Sequence, residues 1–93
     1  MDEDLDIRIL RLARKLREMG ASEVYVFGSA GDGQLPDDRD VDVAVSGLPR
    51  GSFFRAISAG WEILDRPLDL VDLDKPHPFT EYLKQSRELK RVG

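Results

Sequence analysis

Asp40 and Asp42 stand two residues apart in the run Asp40-Val41-Asp42-Val43-Ala44-Val45. Side chains alternate along a strand, so Asp40, Asp42 and Ala44 share one face and the three valines share the other. Two aspartates on a solvated strand face usually do no more than keep it soluble, and the pair alone carries little. Three features add weight to it. Aspartate is a poor strand former, yet here it interrupts a valine-rich run. Gly28-Ser29 closes the preceding apolar run Val24-Tyr25-Val26-Phe27. Glycine at that point permits close backbone approach, and a small hydroxyl beside exposed amides suits a phosphate oxygen. A third acid, Asp69, lies inside the later apolar run Leu68-Asp69-Leu70-Val71-Asp72-Leu73.

Carboxylates converging at a strand edge repel one another unless cations sit between them. Two divalent ions would outweigh three such charges and leave the site attractive to a triphosphate. Hard oxygen ligands favour magnesium over softer metals. A site of this composition supports two-metal phosphoryl or nucleotidyl transfer. Asp72 is the rival to Asp69. Three residues along a strand it points to the opposite face, with Leu68 and Leu70, whereas Asp69 shares its face with Val71 and Leu73.

The elements that must position these groups are legible from periodicity. Leu5, Ile9, Leu12, Leu16 and Met19 form one helical stripe, with acids leading, bases following and Gly20 as a stop. The basic run Arg8, Arg11, Arg14, Lys15 and Arg17 reads as a solvated face that complements the helix dipole. Strands follow over Val24–Phe27 and Asp40–Val45, separated by a loop rich in glycine and aspartate. A second helix is predicted with Ser52 as N-cap and with Phe54, Ile57, Trp61 and Leu64 as its apolar stripe. Gly60 inside it costs up to about 1 kcal/mol relative to alanine. On this reading Trp61 is core, not a base-stacking platform. Pro67 precedes the third strand, Leu68–Leu73. A turn containing His77 follows, where a structural role is expected, and a last helix from about Phe79 to Arg91. A small sheet with helices on its valine side and an open carboxylate side satisfies both faces.

Composition narrows the classes further. The chain has 93 residues and 41% apolar content, which predicts a single domain, 1–93, with a modest core. It has no cysteine and one histidine, which excludes disulfide scaffolds, Cys/His zinc sites and thiol nucleophiles. Eighteen acidic residues against fourteen basic give a net charge of −4, a poor basis for non-specific nucleic-acid binding. The acidic start Met1-Asp2-Glu3-Asp4 is unlike a targeting peptide, and no stretch approaches the length of a membrane span. A soluble cytoplasmic protein is expected.

The run Phe27-Gly28-Ser29, then ten residues, then Asp40-Val41-Asp42 resembles the signature of the DNA polymerase β-like nucleotidyltransferase superfamily. The short length and the strand from Leu68 to Asp74 resemble its minimal branch, the MNT domains, usually encoded beside a HEPN-domain protein as antitoxin and toxin. The resemblance covers residues 5 to 85. It implies an α+β fold, a small mixed β-sheet with helices packed on one face. It also implies that Gly28 and Ser29 hold the triphosphate, that Asp40 and Asp42 bind both of two Mg2+ ions, and that Asp69 is the third carboxylate, placed to act on the acceptor hydroxyl. Gly33 matches the usual loop glycine. Two positions depart from the pattern. Asp32 stands where many relatives have arginine, and Arg39 where serine or threonine often precedes the first aspartate. Arg39 either compensates by reaching the phosphates or pairs with Asp37 or Asp38.

The function implied is transfer of AMP, or a short run of AMP units, from ATP to a hydroxyl of a HEPN toxin, with tyrosine as the acceptor. The alternative is an antitoxin that neutralises its partner by contact while keeping a vestigial metal or nucleotide site. Transfer to a small molecule would need a second domain or a dimer interface to shape the acceptor pocket. Tail addition to RNA would need a domain to grip it.

Overall fold

The computed structural model describes residues 3–28 and 40–92. Helix α1, Glu3–Glu18, turns Leu5, Ile9, Leu12 and Leu16 inward as their spacing requires, each no more than 8% exposed. It ends where predicted. Gly20 takes φ 120°, and the Ala21 amide returns to the Leu16 carbonyl at 3.0 Å.

Four strands form one mixed sheet in the order β3-β2-β1-β4. Strand β1, Glu23–Phe27, pairs antiparallel with β2, Val41–Ser46. Strand β3, Leu68–Asp72, lies parallel to β2 and is reached through helix α2, Phe53–Leu64. Val41, Val43 and Val45 are at most 1% exposed, covered with Val24, Val26 and Leu68 by residues of α1 and α2. The valine side of the sheet is therefore the helix side, as the alternation predicts.

Three expectations are corrected. The first concerns α2, which buries Ala56, Gly60 and Leu64, whereas Phe54 is 86% and Trp61 51% exposed. The sheet selects the narrow side of the helix. A Cβ on Gly60 would overlap Leu68 Cδ2, so close approach of α2 to β3 requires glycine there. The second concerns Ser52, which has helical backbone angles (φ −96°, ψ −6°) at the end of a 3-10 turn, Arg50–Ser52, and caps nothing with its side chain. An N-cap hydroxyl reaches the first amides from an extended backbone, which Ser52 lacks.

The third concerns the last helix. It is the short α3, Pro78–Gln85, ended at Ser86, whose hydroxyl bonds the Leu83 carbonyl at 3.0 Å. The chain then forms β4, Lys90–Arg91, on the free edge of β1, and Val92 is buried. A two-residue strand has no periodicity to read; the unpaired edge of β1 recruits it. His77 serves the structural role expected, its Nδ1 accepting from the Phe79 amide at 3.0 Å as the N-cap of α3. Among the described residues no helix is long and apolar enough to cross a membrane.

Candidate functional site

Register brings two of the three predicted carboxylates, Asp42 and Asp69, side by side. Asp42 on β2 is the direct parallel partner of Asp69 on β3, and on its other side it is the antiparallel partner of Phe27 on β1. Residues in direct register on adjacent strands project from the same face. Asp42, Asp69 and Phe27 thus share the face opposite α1 and α2, where Ala44, Val71 and Leu73 also lie. Asp40 is exposed and stands just before β2, one residue ahead of the paired segment, which begins at Val41. Asp72 belongs elsewhere. It pairs with Val45 at the far end of the sheet, and its Oδ1 accepts from the Asp74 amide at 2.9 Å.

The aspartates stand at one end of the carboxylate face. Beyond it, Phe27, Ala44, Leu73 and Leu83 form a second small cluster covered by α3, and Phe79 meets Phe27 edge-on with ring centroids 6.2 Å apart. Phe27 stands directly beside Asp42 in register. Asp42 is half-buried, and no described residue donates a hydrogen bond to it. Burial, then the nearby charge of Asp69, then that of Asp40 push its carboxyl above the usual range. Burial and like charges therefore both disfavour the ionised form of Asp42. A cation is the simplest group to offset this, and the all-oxygen donor set suits a hard divalent ion. Among the described residues no three His, Cys, Asp or Glu side chains gather closely enough to hold a metal ion on their own.

Gly28 follows β1 with φ 65°, a left-handed conformation that glycine adopts without strain. A Cβ at this position would stand 2.8 Å from Asp42 Oδ2, so the backbone turns directly against the carboxylate. Gly28 was legible in the sequence as a point of close approach, and the approach proves to be toward Asp42. Ser29, Gly33 and Arg39, together with the departures at Asp32 and the acids Asp37 and Asp38, lie outside the described residues.

One polar cluster escaped the sequence reading. Asp74 accepts from Ser46 Oγ at 2.8 Å and from the Gly47 amide at 2.7 Å. The amide first and the hydroxyl second hold its carboxyl below the usual range. It fastens the end of β2 to the turn after β3. Its signal, an acid just past a strand, is too common to single out.

No family profile and no curated protein matches this sequence. Solved structures do. A protein described as a minimal nucleotidyltransferase is 27% identical over 97% of this chain and 95% of its own, with a TM-score of 0.80. A chain of a toxin–antitoxin complex solved with AMP-PNP is 25% identical over 95% of this chain and 72% of its own, with a TM-score of 0.70. A chain from the complex of a tri-AMPylated Shewanella oneidensis HEPN toxin with its MNT antitoxin is 24% identical. It covers all of this chain and 72% of its own length at a TM-score of 0.66, a likeness of fold. The four-stranded mixed sheet with its three helices is thus similar in fold to a minimal nucleotidyltransferase domain.

Proposed function

We propose that the protein is a nucleotidyltransferase that moves AMP from ATP to a hydroxyl of a HEPN-domain toxin, a tyrosine, and so acts as its antitoxin. The observation that carries this reading is the register of Asp42 against Asp69 with the Gly28 backbone folded onto Asp42. The solved neighbours support the choice of chemistry, since one carries a nucleoside triphosphate analogue and another an AMPylated HEPN toxin.

Asp40, Asp42 and Asp69 would hold two Mg2+ ions, with phosphate oxygens and water completing the ligand set, as is usual where magnesium serves phosphates. Bound there, the ions would neutralise charge on the triphosphate and make the acceptor oxygen a better nucleophile. The chain's own residues supply the remainder. Gly28 and Ser29 would offer backbone amides and a hydroxyl to the triphosphate, and Arg39 would add a cation. An Asp69 carboxylate oxygen takes the proton of the acceptor hydroxyl. The acceptor oxygen then bonds to the α-phosphorus in line, the bond from that phosphorus to the bridging oxygen breaks, and pyrophosphate leaves.

The test is label transfer to the co-purified HEPN partner in the presence of magnesium, comparing α-labelled with γ-labelled ATP. Wild type should label the partner from the α position only, and Asp40→Asn/Asp42→Asn should not label it. Among the described residues no three acids gather closely, which favours one second reading, neutralisation by contact without turnover. In that case Asp42→Asn would still silence the toxin and no label would transfer.

A further inference from the structure

Of the apolar stripe that the sequence assigns to the core of α2, Leu64 is buried, whereas Phe54 and Trp61 stay largely open, and Ile57 partly open, among the described residues. Phe54 is 86% exposed, Ile57 is half-buried and Trp61 is 51% exposed, at spacings that align them on one side of the helix. Ala56, Gly60 and Leu64 already bury a different side against the sheet, so α2 carries two apolar faces and the fold uses one. Beside the free face runs a groove of about 400 Å³ lined by Arg50, Phe53, Phe54, Ile57, Asp72 and Lys75. The Asp72 carboxylate is engaged by the Asp74 amide. Neither Arg50 nor Lys75 forms an ion pair among the described residues. The groove is therefore apolar along its floor with two cations against one carboxylate at its rim, a net positive patch on a chain whose net charge is −4.

We infer that this groove is a docking site for an acidic amphipathic segment of a protein partner, with apolar side chains laid along Phe54, Ile57 and Trp61 and carboxylates against Arg50 and Lys75. Charge complementarity selects this occupant. A second copy of an acidic chain brings net repulsion, whereas an acidic helix satisfies both rim cations and covers the stripe. Because α2 lies on the valine side, a partner seated there leaves the Asp42–Asp69 face free. The inference does not depend on nucleotidyl transfer.

Trp61 is the single tryptophan and reports on the stripe directly. The full chain is titrated with an amphipathic helical peptide of leucine, alanine and glutamate, and with its twin carrying lysine for glutamate. The glutamate peptide should shift Trp61 emission to the blue saturably, less so as salt rises. Phe54→Ser, at a site too exposed to threaten the fold, should weaken this binding at least about tenfold. Arg50→Glu/Lys75→Glu should exchange the preference between the peptides, and Asp42→Asn should bind as wild type does. No shift, or equal response to both peptides, overturns the inference. It is also overturned by a shift that appears with protein concentration alone as the mass doubles, or by one produced only by phosphatidylglycerol vesicles. Those results assign the stripe to a second copy or to a membrane.

Discussion

The two faces of the sheet are built from alternate residues of the same strands and do opposite things. On one, Val41, Val43 and Val45 are sealed under α1 and α2, and the groups are interchangeable in kind: any well-packed aliphatic side chain would serve. On the other, Asp42 and Asp69 stand in register beside a small apolar cluster, and as the proposed metal ligands neither would be replaceable in kind. The valine face is optimised for stability. The carboxylate face is not, since burial and like charge both act against Asp42. Carboxylates disfavoured in this way gather at functional sites.

Asp42→Asn tests the contrast most sharply, because it should separate activity from stability. Nucleotidyl transfer should fall at least about a hundredfold, as when charge stabilisation is removed from a reacting phosphate. The same variant should melt higher than wild type in chelator, by about 2–4 °C, the effect of roughly half a kcal/mol in a domain of this size. Magnesium should narrow that gap by raising the wild type alone. A melting point below wild type in chelator would break the comparison, because the carboxylate would then be stabilising where it stands.

The valine face is probed at Gly60, where α2 approaches Leu68. Alanine has the better helix propensity, by up to about 1 kcal/mol, but its Cβ would overlap the leucine side chain. Overpacking should win, for a net loss of about 1–2 kcal/mol in chemical denaturation. Asp69, the neighbour of Leu68, should be displaced with it, so magnesium affinity should fall as well. Gly28→Ala is the counterpart on the other face. A side chain at φ 65° costs about 1 kcal/mol, and the new Cβ would press on Asp42 Oδ2. Isothermal titration with magnesium should show a loss of affinity larger than its modest loss of stability suggests.

The smallest effect should come from Asp74, which fastens β2 to the turn after β3. Its folded carboxyl is held below the unfolded value, so its contribution is complete above the ordinary carboxylate range and is lost as pH falls through the folded value. Asp74→Asn should cost about 0.5–1 kcal/mol at neutral pH, discounted because the group is exposed. The difference from wild type should close in acid. Urea melts at two pH values check this, and a gap that widens in acid would contradict it.

The difference between the faces also explains which parts were legible in advance. Helix α1 and strands β1 to β3 follow from local spacing, because one face of each is buried and repeats with the period of its own backbone. The aspartate pair and Gly28 were visible as violations of that period, residues that strand propensity alone would not place there. Helix α2 misled because it carries two apolar stripes, and nothing local says which of them the sheet will take. The span given to the last helix failed because Lys90 and Arg91 are recruited by an edge more than sixty residues away in sequence.

What the sequence by itself determined is therefore the chemistry available: acids set two apart, glycine at a strand end, and no thiol or histidine cluster to compete. Only the tertiary structure decided how those groups meet. Pairing Asp42 with Asp69 needs β3 to return parallel to β2 in one particular register, and α2, which joins the two strands, packs Gly60 closely against Leu68 beside Asp69. A slip of one residue would have turned Asp69 to the helix side. Long-range packing fixed that choice, and no short window of sequence contains it.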